Sequence, residues 1–136
     1  MHHAIAGFPE WLEFENIIGA TYVLEEETRG NKHYPRPKWK EGVDMKIKVE
    51  DLEHPITRGI TDFTINDEAY KNWVYHDRNH LLLSTKNELS NRQIAWTLSS
   101  FGARIFYIQL GHGKDAYENE NYRKLLQRGI AWTAKK

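Results

Sequence analysis

The sequence contains no cysteine. That removes disulfides, thiolate metal sites and a thiol nucleophile together, agrees with a reducing compartment, and makes a cytoplasmic chain the expectation. An excess of either charge is also missing: 19 basic and 19 acidic side chains cancel, so no long-range field gathers nucleic acid or an anionic membrane surface. No apolar run approaches the roughly 20 residues that a spanning helix needs, which argues against membrane insertion. HExxH, GxSxG, GxGxxG and the phosphate-cradling glycine loop are all absent, which sets aside the best-attested catalytic and nucleotide-binding fingerprints. Ser84, Ser90, Ser99 and Ser100 have no nucleophile elbow around them. What remains is a chain of 136 residues, 40% hydrophobic and 12% aromatic, enough for one core and one domain over residues 1–136. A neutral small molecule or a protein is the partner such a balance favours.

Pro9, with Trp11, Leu12, Phe14 and Ile18 at helical spacing and Gly19 as a stop, predicts a short amphipathic helix over 9–18. Residues 25–42, charged and proline-bearing, read as a loop. Val43–Glu50 alternates apolar and polar side chains, the pattern of an antiparallel or edge strand with one wet face. Phe63–Ile65 reads as a short strand ending in the acidic pair Asp67-Glu68, and 81–85 and 93–97 as further strands. Gly102–Leu110 suits a buried parallel strand, and Tyr122, Leu125, Leu126, Gly129, Ile130 and Thr133 share one side of a closing helix. Gly129 on that inner face points to a close approach to the sheet, since glycine costs a helix about 1 kcal/mol against alanine.

Chemistry concentrates where the late strand ends in Gly111-His112. A strand tip is where open α/β sheets collect ligand-binding groups, and glycine lets the chain turn there freely. Glu68, with Asp67, supplies a carboxylate, and histidine plus carboxylate serves general acid/base work or a hard to borderline metal. His33, His54, His76 and His80 read as structural or solvated histidines. Met1-His2-His3 reads either as a purification-tag remnant or, because 4–8 runs straight into the first helix, as part of a strand-to-helix turn. The aromatics read mostly as core, with Trp73 and Tyr75 the pair suited to stack on a sugar ring.

Six patches in order, His2–Phe8, Glu13–Gly19, His54–Gly59, Asp67–Tyr70, Ala95–Thr97 and Tyr107–His112, resemble the ThuA-like (trehalose utilisation) family. The resemblance implies an α/β fold, a flavodoxin-like or class I glutamine amidotransferase-like open sheet with antiparallel additions, in a domain usually longer than this chain. It implies that N-terminal strands and helices are missing here, and hence a homo-oligomer or a separate N-terminal segment as partner for the exposed edge. It places His2 near the position where amidotransferases carry their nucleophilic cysteine, with His3 adjacent. By the same carry-over His2, Glu68 and His112 converge at one end of the sheet as catalytic and metal-ligating residues, His3 with Trp73 and Tyr75 binds ligand, and a divalent metal such as zinc is the cofactor this set would suit. One departure is Gly42, which stands where relatives commonly have histidine. Three functions fit these residues: an enzyme acting on trehalose or a related disaccharide or keto-sugar, a non-catalytic sugar-binding or interaction module, and an inactive truncated relative.

Overall fold

The computed structural model describes residues 4–8 and 11–134. After a single 3-10 turn at Ala4–Ala6 come α1 (Leu12–Ile18), β1 (Ala20–Thr21), β2 (Glu27–Arg29), β3 (Lys32–Tyr34) and the long β4 (Lys38–Val49). There follow β5 (Phe63–Lys71), β6 (Val74–Tyr75), β7 (His80–Thr85), β8 (Gln93–Ser100), β9 (Ala103–Ile108), α2 (Lys114–Glu118) and α3 (Glu120–Ala134). The main sheet has five strands in the order β5-β4-β7-β8-β9. Helices cover both of its faces, so the architecture is α/β. No helix among the described residues is long and apolar enough to cross a membrane.

Alternation makes the two faces. On β4 the side chains of Val43, Met45, Ile47 and Val49 are buried while Asp44, Lys46 and Lys48 are exposed. The buried set joins Ile65, Leu82, Leu83, Ile94 and Ile108 in a core closed by Tyr122 and Leu125 of α3. The opposite face holds a second core of Tyr70, Trp73, Trp96, Leu98 and Tyr107 under Phe14, Ile17 and Ile18 of α1. The close approach expected at Gly129 is present: a Cβ there would lie 2.1 Å from the Phe106 ring of β9. Asn119 separates α2 from α3, accepting the backbone N–H groups of Asn121 and Tyr122 through its side chain as an N-cap.

Several sequence expectations are corrected. The expected parallel strand is antiparallel: β9 pairs with β8 from Ala95↔Ile108 to Ser100↔Ala103, and every strand pairing among the described residues is antiparallel. The reason lies in the two-residue turn Phe101-Gly102, where both residues have positive φ, 49° and 77°, as a tight type I′ hairpin requires. Phenylalanine conceals that turn in the sequence, since asparagine or aspartate is its usual occupant. The predicted loop over 25–42 contains the hairpin β2–β3 and the first residues of the long β4. The strand expected to stop at Asp67-Glu68 runs on to Lys71, with both acidic residues buried inside it. The first helix is described from Leu12, and Pro9 lies outside the described residues.

At the foot of β4, Glu50 accepts from Lys48 (2.7 Å), Ser84 (2.6 Å) and Arg92 (3.0 Å). Lys48 first, then Ser84, bring its carboxyl from the ordinary 4.5 down to about 2. Its folded value is the lower one, so its contribution to stability is complete above pH 4.5 and disappears as pH falls towards 2. Glu50→Gln is expected to flatten the acid limb of the stability curve in that window, as read by urea unfolding at successive pH values. At the β8–β9 turn, Phe101 is 85% exposed and held at positive φ with its side chain in solvent. Phe101→Asn is therefore expected to stabilise the protein by about 1 kcal/mol, seen as a raised urea midpoint.

Candidate functional site

Strands β5 and β9 lie at the two ends of the sheet order, yet the chain leaving β9 reaches across to β5. The connection is the carboxylate of Asp67, only 4% exposed. Its Oδ2 accepts the Gly111 backbone N–H at 2.7 Å, and its Oδ1 accepts those of His112 at 3.0 Å and Glu68 at 2.9 Å. Three backbone donors on one buried anion are charge-assisted bonds, stronger than neutral ones. Gly111 has φ 118°, and a Cβ on it would fall 2.3 Å from the Tyr122 hydroxyl. Glycine is thus required for the chain to pass between β5 and α3 and present His112.

Residues two apart on a strand share a face, so Glu68 stands beside Tyr70 while Asp67 faces the α3 core with Ile65 and Ala69. Glu68 is 5% exposed, and its Oε2 is 2.9 Å from His112 Nδ1. The same oxygen accepts the Tyr70 hydroxyl. Burial, then the hydrogen bond to Glu68, push the Tyr70 phenol above its ordinary value. The neighbouring Tyr22 phenol is also raised, by burial and then by the Glu68 charge.

A third acid comes from β4. Between the pairs Lys40↔Ala69 and Val43↔Asp67 the register slips, so Glu41 and Gly42 stand opposite Glu68 alone. This is a β-bulge, with Gly42 at φ 65°. It sets Glu41 at the rim, its Oε1 3.7 Å from His112 Nε2. One ligand atom from each of Glu41, Glu68 and His112 lies within 4.8 Å of the others. An imidazole nitrogen with two carboxylate oxygens is a donor set for a hard or borderline divalent ion. The arrangement also suits proton transfer. A buried carboxylate on Nδ1 orients an imidazole and leaves Nε2 facing outward, where the 39% exposed His112 ring meets Glu41 and solvent.

Of the residues expected from sequence, Glu68 and His112 meet; His2 and His3 lie outside the described residues. Trp73 and Tyr75, the expected stacking wall for a sugar, are placed in the second core. Trp73 is 3% exposed and stacks on Trp96 at 5.4 Å, Trp96 stacks on Tyr107 at 4.3 Å, and Tyr75 meets Trp96 edge-on. His76, expected as decoration, binds Glu15 at 2.7 Å beside Arg29, clipping the β2–β3 hairpin to α1. Glu41 and Tyr70 were not among the expected site residues. Gly42 carried the signal for Glu41, because an isolated glycine beside an alternating strand marks a bulge.

The family model for trehalose utilisation, ThuA, matches residues 1–133. The crystal structure of a ThuA-like protein from Parabacteroides merdae superposes with a TM-score of 0.77 at 20% sequence identity. The match covers 98% of this chain and 58% of that one, so this chain spans a little over half the length of that protein. The two share a fold. No curated protein matches the chain.

Asp67→Asn replaces an acceptor by an N–H group facing the N–H of Gly111. The expected cost is about 1–3 kcal/mol in urea unfolding, against less than about 0.5 kcal/mol for the exposed Asp44→Asn. Equal stabilities for the two variants would show that the clamp contributes nothing.

Proposed function

The chain belongs to the ThuA family, which is linked to trehalose utilisation, and from that premise we propose that it is a sugar-modifying enzyme whose centre is the Glu68–His112 pair. The substrate class is a disaccharide such as trehalose or an oxidised keto form of one. In this reading Glu68, His112 and His2 hold a divalent cation such as zinc, with Glu41 at the rim and His3 beside them as a ligand-binding residue. The observation that carries it is the convergence of three ligand atoms from Glu41, Glu68 and His112 within 4.8 Å. A cation held there would polarise a hydroxyl or carbonyl oxygen of the sugar.

The inclusion of His2 and His3 rests on the residues that follow them. Ile5 is buried, and its carbonyl accepts the Tyr22 backbone N–H at 2.9 Å. Tyr22 packs edge-on against Tyr70 at 5.9 Å, and Tyr70 binds Glu68. These contacts put the described residues 4–8 on the Glu68 side of the sheet.

A second reading has its own observation, the 2.9 Å contact through Nδ1. Here His112 Nε2 takes a proton from a sugar hydroxyl, and the buried Glu68 carboxylate stabilises the imidazolium that forms. Metal analysis of the dialysed protein, coupled to a disaccharide-conversion assay, separates the two. The first reading expects about one zinc or manganese per chain, lost together with turnover in His112→Ala and Glu68→Gln. Turnover without metal, abolished by the same substitutions, would replace it with the acid–base reading. Sugar binding with neither metal nor product would reduce the protein to a binding module.

A further inference from the structure

We propose that Tyr70 is a positioning residue for this centre: its hydroxyl locks the Glu68 carboxylate in the rotation that aims Oε2 at His112, and through it selects the imidazole tautomer with the proton on Nδ1. The inference rests on the reading of Glu68 and His112 as the working pair. It deepens that reading by assigning a role to a buried hydroxyl with which no step has been associated.

The last torsion of a glutamate is a broad sp³–sp² rotor with no sharp well of its own. A carboxylate at the centre of a site therefore takes its orientation from its partners. Two partners converge on one oxygen here, the Tyr70 hydroxyl and His112 Nδ1. The first is the better anchored, because Tyr70 is buried and its carbonyl is held by the Asn91 backbone N–H at 2.7 Å and the Trp73 indole N–H at 3.3 Å. Its ring is braced edge-on by Tyr22, with an interplanar angle of 86°. His112, by contrast, stands on a turn with a partly exposed ring. The rigid donor thus sets the carboxylate, and the carboxylate sets the imidazole. The hydroxyl is the donor in its contact with Glu68, as the role demands. Partners behind a metal-binding carboxylate or imidazole are commonly worth 10–100-fold in metal affinity.

The test uses Tyr70→Phe, which keeps the ring against Tyr22, with near-ultraviolet circular dichroism to verify packing and Tyr22→Phe as a control that keeps the Tyr70 hydroxyl. In metal-free, 15N-labelled protein, long-range 1H–15N correlation reads the tautomer of the neutral His112 ring, assigned by its loss in His112→Ala. The Nδ1–H form is expected to dominate in the parent and in Tyr22→Phe, and to fall about fivefold relative to the Nε2–H form in Tyr70→Phe. Zinc titrated alone by calorimetry is expected to bind roughly 10–100-fold more weakly to Tyr70→Phe. An unchanged tautomer ratio in Tyr70→Phe overturns the inference, whatever zinc does. A changed ratio in a parent that takes up no zinc leaves the positioning role standing and counts against the cation reading alone.

Discussion

One buried carboxylate ties one outermost strand of this sheet to the turn that leaves the other. Asp67 lies inside β5, and two of the three N–H groups it accepts belong to the turn that leaves β9. A sheet whose first and last strands meet in this way must curl, and its curl is what gathers side chains that lie 44 positions apart, Glu68 and His112, into one contact. The Asp67 carboxylate is held by oriented backbone donors. Its neighbour in sequence, Glu68, faces the other side of the sheet, where it meets Tyr70 and His112.

The second core gives that neighbour its surroundings. Trp73, Trp96 and Tyr107 stack in succession beneath α1, and the Trp96 indole donates to the Ile18 carbonyl at 2.8 Å. Large rigid rings with few rotamers make an unyielding floor. Tyr70 and Tyr22 form its edge, where the apolar layer gives way to Glu68. Trp73 and Tyr75, the pair expected from the sequence to stack on a sugar, lie in and against this aromatic layer.

How much was legible in the sequence follows from where the information resides. Val43–Val49 announces itself because each alternate side chain enters one core, and α3 because its apolar stripe and Gly129 answer to Phe106. The Gly111-His112 turn is legible because glycine there has a steric cause in Tyr122. The length of β5 is not, because Asp67 and Glu68 in mid-strand are buried only by virtue of partners far away in sequence, and alone they resemble a solvated turn. Strand direction failed at Phe101, whose positive φ is a tertiary compromise that no local preference forecasts. The β2–β3 hairpin is too short and polar to show a period, being held by the Arg29–Glu15–His76 cluster instead.

The bulge at Glu41-Gly42 divides the site into a fixed interior and a replaceable threshold. Glu68 and His112 are held by the curl and the clamp, whereas Glu41 sits on a bulge that adds one residue to β4, with its side chain 65% exposed. Swapping the residue carried there alters the charge and size of the doorway without disturbing the interior geometry. Sequence divergence among relatives is therefore expected to accumulate at this bulge sooner than at the pair behind it.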